Sequence, residues 1–144
     1  HIRLTTNAHE LALSVIFESG AQHFADREES FRKQPSQVTE FLKDVPVTWD
    51  DTRFISGYPG EQVILARTKD DIIYIAGLNG TMEQFNTSFS VPFINPNAEY
   101  VASIITDGEN PRTFNFSEIK FSGNDKINVS MLPAGGFVAK ITLQ

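Results

Sequence analysis

Acidic side chains are the first residues in this sequence that could do chemistry, because paired carboxyl groups serve as general acids, general bases and nucleophiles. The candidates are Asp26, Glu28, Glu29, Asp50 and Asp51. A pair that cleaves a glycosidic bond must lie about 5–5.5 Å or about 6.5–9.5 Å apart across a cleft. Asp50 and Asp51 are adjacent, and adjacent side chains on a strand point to opposite faces. We therefore expect these acids to lie in solvated loops or helix caps.

The histidines are the next candidates, as metal ligands or as bases. The chain has three, His1, His9 and His23, and no cysteine. A helical zinc motif that begins at His9 would need a second histidine at position 13, where Leu13 stands. No Gly-x-Ser-x-Gly turn, phosphate-binding loop or dinucleotide fingerprint occurs. The residues predict structural roles for His9 and His23, and they predict no catalytic, cofactor-binding or metal-ligating residue.

Two aromatic side chains at loop positions, Trp49 and Tyr58, are the only candidates for a sugar-stacking platform. The favoured interpretation of Trp49 is a plug in a seam between two parts of the chain. Asparagines of the N-x-[ST] pattern occur at Asn79, Asn86, Asn115 and Asn128. Asn79 is followed by Gly80, and Asn-Gly between two strands predicts a two-residue hairpin turn.

Residues 1–46, which would position the first of these candidates, have the apolar spacing of helices. Asn7 and Glu10 predict a capping box. Leu13 and Phe17 add apolar surface on a second side, so this helix is expected to be buried on both flanks, by the sandwich or by a missing domain. Its main apolar stripe is Ala8, Leu11, Ala12, Val15 and Ile16. Further elements expected before Pro46 are a strand at 21–26, a polar helix at 28–33, and a turn opened by Ser36 or Thr39 with Val38, Phe41 and Leu42.

Residues 47–144 change to the period of two that is typical of strands. Ile127, Val129 and Met131 show the clearest alternation. Phe114 and Phe116 alternate, but Ile119 and Phe121 resume one residue out of phase, which predicts a bulge or a break near Ser117-Glu118. The fold class predicted is mainly β, an antiparallel sandwich preceded by a helical segment. Its eight strands are expected at 51–57, 62–68, 71–78, 83–90, 98–106, 113–121, 125–132 and 136–143.

Composition narrows the class of protein. The 144 residues are 40% hydrophobic and carry a net charge of −6. That composition is typical of a globular domain with a core. The negative balance disfavours a nucleic-acid partner, because like charges repel the phosphate backbone. No apolar run approaches the roughly 20 residues of a membrane span.

Five segments of the chain, in this order, carry a resemblance to a known family. They are residues 8–26, residues 46–53 (Pro-Val-Thr-Trp-Asp-Asp-Thr-Arg), residues 57–67 with Gly60-Glu61 and Ala66-Arg67, Ile73-Tyr74-Ile75-Ala76-Gly77, and Leu132-Pro133-Ala134-Gly135-Gly136-Phe137. Together they resemble glycoside hydrolase family 97. Residues 8–26 are similar to the last helix and strand of that family's catalytic barrel, and residues 46–53 resemble the linker that follows it.

The resemblance implies an organisation in which an N-terminal sandwich and a (β/α)₈ barrel precede a C-terminal all-β domain. Residues 1–46 would then be the tail of the barrel, and residues 47–144 the C-terminal sandwich. None of the family's catalytic or calcium-binding motifs matches a position here, so no site residue is carried over. Residues 23–26 would approach the active face of the barrel, because that face lies at the carboxyl ends of its strands.

The function implied by the resemblance is that of a non-catalytic domain that packs on and stabilises the barrel of the same chain. The parent enzyme would hydrolyse α-glucosidic or α-galactosidic bonds of an oligosaccharide. Calcium would be bound by residues upstream, and the enzyme would be exported, to the periplasm of a Bacteroides-like bacterium for example. Two alternatives stay open: a carbohydrate-binding module that uses Trp49 or Tyr58, and a protein-interaction domain.

Overall fold

The structure is a computed structural model that describes residues 5–17 and 34–144. These residues form helices α1 (Asn7–Ile16) and α2 (Ser36–Asp44) and strands β1 (Asp51–Tyr58), β2 (Gln62–Lys69), β3 (Ile72–Asn79), β4 (Phe85–Ser90), β5 (Glu99–Asp107), β6 (Phe114–Ser122), β7 (Lys126–Met131) and β8 (Gly136–Leu143). All eight predicted strands are confirmed, each end to within two residues. The strand expected at 21–26 and the helix expected at 28–33 lie outside the described residues.

The strands form two antiparallel sheets that pack face to face. The larger sheet has six strands in the order β1-β2-β3-β8-β5-β6, and the smaller sheet pairs β4 with β7. An apolar core fills the space between the sheets, with Ile75, Ile127, Met131, Phe137 and Ile141 fully buried. The predicted antiparallel sandwich is therefore confirmed.

The opposite face of the six-stranded sheet carries both helices, and we call it the helix-bearing face. Leu11, Ala12 and Val15 of α1 are fully buried in a second core on this face, and Val38 of α2 joins them. Phe17, the residue that follows α1, is 57% exposed. The sheet thus buries one apolar side of α1, and Phe17 is left open in the described part of the chain. No helix within residues 5–17 and 34–144 is long and apolar enough to cross a membrane.

The predicted capping box at Asn7 is wrong, because the helix begins one residue earlier than that box requires. Thr6 is the N-cap, with extended backbone, and its hydroxyl accepts a hydrogen bond of 3.0 Å from the amide of His9. Asn7 is already helical. Its side chain points across to the loop before β6, where it donates to the carbonyl of Arg112 at 2.9 Å.

The bulge or break predicted near Ser117-Glu118 is also absent from β6. Strand β6 pairs with β5 at nine consecutive positions without a shift in register. Phe114 and Phe116 pack in the core on the helix-bearing face, whereas Ile119 and Phe121 pack in the core between the sheets. Because alternate side chains of one strand point to opposite faces, this change of partner shifts the apolar phase without any extra residue.

The hairpin predicted at Asn79-Gly80 does not form, because β3 and β4 belong to different sheets. Asn79 is fully buried, and its Nδ2 donates to the carbonyls of Glu83 at 2.7 Å and Leu132 at 3.0 Å. Its Oδ1 accepts from the amide of Thr81 at 3.0 Å. The side chain therefore holds the crossing between the sheets and is closed to glycosylation. The remaining N-x-[ST] asparagines are exposed, namely Asn86, Asn115 and Asn128.

Candidate functional site

The two acidic candidates within the described residues do not form a catalytic pair. Asp50 is exposed, and its Oδ2 accepts from the amide of Asp70 at 2.7 Å while Oδ1 lies 3.8 Å from Nζ of Lys69. Asp51 begins β1, and its Oδ1 accepts from the amide of Thr52 at 2.9 Å. Both carboxylates are exposed and satisfy backbone donors at the edge of the sheet. Asp50 lies in a solvated loop as predicted, whereas Asp51 is the first residue of β1. Three further acids, Asp26, Glu28 and Glu29, lie outside the described residues.

His9 is held by a backbone carbonyl. Its Nδ1 lies 3.0 Å from the carbonyl oxygen of Gly135, so Nδ1–H is the donor of this hydrogen bond. This contact fits the structural role predicted for His9. Within residues 5–17 and 34–144 no three acidic, histidine or cysteine side chains come close enough to hold a metal ion. His1 and His23 are outside that part of the chain.

Asp107 is the one buried carboxylate of the described chain, and it ends β5 beside α1. Its Oδ2 accepts from the amides of Leu132 at 2.8 Å and Gly136 at 3.2 Å. Its Oδ1 is buried and has no hydrogen-bond partner among the described residues. Burial raises the pKa of Asp107, opposed by the hydrogen bonds from Thr6 and the two amides and by the nearby His9.

Asp107 holds residues 132–136, which are the loop after β7 and the first residue of β8, and we call these residues with Asp107 the junction. The loop carbonyl of Ala134 accepts from the amide of Thr6 at 3.1 Å, and its amide donates to the carbonyl of Thr81 at 2.8 Å. Ala134 adopts a φ of 54°. A side chain on Gly135 would overlap Asp107 Oδ2. The junction therefore links the start of α1 to the segment where the chain crosses between the two sheets. The tight packing around it explains why small residues occupy positions 134–136. Sequence reasoning missed Asp107, because nothing in the sequence spacing pointed to its partners.

Trp49 fills a seam, as its favoured interpretation predicts. Its ring meets that of Tyr74 edge-on, with centroids 5.3 Å apart, and the guanidinium of Arg67 lies 5.6 Å from the Trp49 ring centroid. Tyr74 is 1% exposed and its hydroxyl donates to the carbonyl of Asp44 at 3.3 Å. Burial, with a smaller contribution from Asp44, raises the pKa of Tyr74 to about 12. Trp49 Nε1 and two guanidinium nitrogens of Arg67 are buried without acceptors among the described residues.

An open, mostly apolar groove of about 600 Å³ lies where β1 and β2 extend beyond α1. Val63, Leu78 and Phe54 line it together with His9 of α1 and the turn that contains Tyr58. Phe54 is 61% exposed and Tyr58 is 68% exposed. The groove holds no arrangement of acid, base and nucleophile in the described chain. Its chemistry is that of a contact surface.

Comparison with known proteins identifies the family. The family described as "Glycosyl-hydrolase 97 C-terminal, oligomerisation" matches residues 48–142 of this chain. The chain belongs to that family. It is thus a C-terminal domain of a glycoside hydrolase family 97 enzyme, as the five-segment resemblance predicts.

Individual relatives agree. The chain is 28% identical over 140 residues to a retaining alpha-galactosidase of Bacteroides thetaiotaomicron, covering 94% of this chain and 21% of that protein. It is 31% identical over 134 residues to a probable retaining alpha-galactosidase of Streptomyces bingchenggensis, covering 93% and 20%. The chain therefore spans about a fifth of the length of these curated relatives.

Solved structures share the fold. A beta-arabinopyranosidase superposes with a TM-score of 0.81 at 30% identity, over 96% of this chain and 21% of that one. A family 97 enzyme from Pseudoalteromonas sp. strain K8, solved with panose, superposes with a TM-score of 0.77 at 19% identity, over 98% and 23%. The second likeness supports the fold alone.

Proposed function

We propose that this chain is the non-catalytic C-terminal domain of a longer α-glycosidase, and that it packs on and stabilises the catalytic barrel. The observation that carries this proposal is the incomplete cover of the helix-bearing face. One row of side chains crosses that face from β1 to β5, namely Phe54, Leu65, Ala76, Val138 and Ile105. Ala76, Val138 and Ile105 in this row are buried, whereas Phe54 is 61% exposed.

The exposed end of this row is part of a larger apolar surface. Phe54 continues into the groove that is lined by Val63 and Leu78, and the exposed ring of Tyr58 lines the same groove. Monomeric proteins rarely leave a contiguous apolar patch of this kind uncovered, and such patches mark contact surfaces. The catalytic region is the occupant we propose, because about four-fifths of the length of the curated relatives has no counterpart in this chain.

The activity of the whole enzyme is proposed from its relatives. Hydrolysis of α-galactosidic bonds is supported by the two alpha-galactosidases at 28% and 31% identity, and α-glucosidic bonds are the alternative. We place the calcium ion implied by the family resemblance, and the catalytic carboxylates, in the barrel. Export from a bacterial cell stays a proposal on the same footing.

A carbohydrate-binding role is the weaker alternative. Trp49 is packed into the seam with Tyr74, which leaves the exposed Tyr58 as the remaining stacking platform proposed from the sequence. The second alternative, a protein-interaction domain that joins copies of the enzyme, has one finding in its favour. The description of the matching family includes the word oligomerisation.

Barrel packing is tested by comparing Phe54→Ser in two settings, the 144-residue chain and the full-length enzyme. We expect the substitution to lower the free energy of unfolding much more in the full-length enzyme, where the barrel would cover Phe54. Leu143→Ser is the matched control, because Leu143 is similarly exposed at 64% and its row runs through Tyr100 in the core between the sheets. An equal cost of Phe54→Ser in both settings would show that nothing in the enzyme covers this surface.

A further inference from the structure

The outer edge of β6 differs from the opposite edge of the same sheet. Strand β6 is nine residues long, its register with β5 is unbroken, and no other described strand pairs with it. Strand β1, the other edge, is interrupted by a bulge between Phe54 and Ser56, and Gly57 there adopts a φ of 153°. Bulges protect a sheet edge from pairing, whereas a long regular edge is a template for another strand. The open edge of β6 is thus suited to strand addition.

The charges on β6 are complementary to those of a second β6. Glu118 and Lys120 are both exposed and, two residues apart, they lie on the same face. When two copies are related by a two-fold axis perpendicular to the sheet, their helix-bearing faces lie on the same side of the combined sheet. Residues that face each other across the two β6 strands then belong to the same face. If the axis passes at Ile119, each Glu118 faces Lys120 of the second copy, twice per dimer. An axis at Glu118 or at Lys120 would instead place two like charges opposite each other, which is destabilising.

We propose that this domain forms a two-fold dimer in which β6 pairs antiparallel with β6 of a second copy, centred on Ile119. The two six-stranded sheets then become one continuous sheet. Ile119, half-buried at the margin of the core between the sheets, meets Ile119 of the second copy. A second copy is the occupant that fits, because the charge pattern is self-complementary and the matching family is described by the word oligomerisation.

The dimer does not depend on barrel packing, because the groove beside Phe54 lies at the opposite edge of the sheet. A single result therefore cannot sink both proposals. Barrel packing is measured in the full-length enzyme, and the dimer is measured first in the 144-residue chain.

Charge exchange tests the register. Sedimentation equilibrium of the 144-residue chain is expected to show a monomer–dimer equilibrium. Glu118→Lys and Lys120→Glu each turn two attractive cross-strand pairs into two repulsive ones and are expected to raise the dimer Kd about tenfold. The double variant Glu118→Lys/Lys120→Glu restores the pairs and is expected to return Kd to within about threefold of the original. A monomer at all concentrations, a Kd insensitive to the single variants, or no recovery in the double variant would overturn the proposal.

A cross-link tests the same contact without relying on charge. The chain has no cysteine, so Ile119→Cys introduces one thiol per copy. Facing residues of an antiparallel pair have Cα atoms about 4.5–5.5 Å apart, which a disulfide can span. Mild oxidation is expected to give a covalent dimer. Ser88→Cys, exposed on β4 of the smaller sheet, is the control and is expected to stay monomeric under the same oxidation. Equal cross-linking of both variants, or of neither, would overturn the proposal.

Discussion

Replacement of Asp107 tests whether the junction is held as the structure indicates. Asp107→Ala removes the acceptor that the amides of Leu132 and Gly136 share at 2.8 and 3.2 Å. Each buried donor left without an acceptor costs about 1–3 kcal/mol, so the expected loss of unfolding free energy is about 4 kcal/mol. Asp107→Asn keeps an oxygen acceptor and removes the charge, so we expect it to stay within about 1 kcal/mol of the original protein at pH 7.

The ionisation of Asp107 adds a pH dependence of known sign. Burial raises its pKa above the ordinary 3.8, so the folded state favours the protonated carboxyl. The stabilising contribution is fully present below about 3.8 and is lost as pH rises through the raised pKa of the folded state. Relative to Asp107→Asn, the original protein should therefore gain stability as the pH falls from 7 toward 4.

Urea unfolding measures both effects, with the fluorescence of the single tryptophan as the probe. Trp49 packs against Tyr74 in the folded chain, so its emission should report unfolding. Two results would refute the reasoning. One is an Asp107→Ala variant within about 1 kcal/mol of the original, since the two amides would then not depend on this carboxylate. The other is an Asn variant as unstable as the Ala variant, since charge rather than acceptance would then matter.

Two further substitutions are predicted. Gly135→Ala should lower the free energy of unfolding by about 3 kcal/mol, because the new Cβ overlaps Asp107 Oδ2 and the backbone of Leu132. The control Gly60→Ala should cost about 1 kcal/mol, because Gly60 has open space around it and a φ of 80°. Equal costs of the two substitutions in thermal unfolding would contradict this prediction. Tyr74→Phe should cost about 1 kcal/mol by losing the hydrogen bond to Asp44. Since the pKa of Tyr74 is raised from 10.0 to about 12, the original protein should lose stability from pH 10 to pH 12 more steeply than Tyr74→Phe, and parallel pH profiles would count against a buried hydroxyl.

Strand positions could be predicted because their signal is local. Ile127, Val129 and Met131 alternate with polar residues, and this alternation alone places β7 and its buried face. Trp49 stands at a loop position in the sequence, and the interpretation favoured for it there, a plug in a seam, agrees with its packing against Tyr74. The family resemblance came from short ordered motifs, and one of them, at residues 132–137, proves to lie at the junction.

Features that depend on distant residues could not be predicted. Asn79-Gly80 has the local pattern of a hairpin, but β3 pairs with β8, so the chain crosses between the sheets there instead. Asp107 bonds to amides 25 and 29 residues further along the chain, which no spacing rule in the sequence indicates. In β6, the apolar residues change phase because the first half of the strand packs in the core on the helix-bearing face and the second half packs between the sheets. The sequence alone does not distinguish this arrangement from a bulge.

Phe54→Ser in the full-length enzyme is the most direct test of the central claim, that the helix-bearing face is covered by the catalytic barrel. In the 144-residue chain, where Phe54 is 61% exposed, the cost should stay below about 1 kcal/mol. Burial of a phenylalanine side chain contributes about 1.5–3 kcal/mol, so the cost in the full-length enzyme should be greater by about 2 kcal/mol. Leu143→Ser should show no such difference. The account is contradicted if calorimetric unfolding gives the same cost for Phe54→Ser in both proteins.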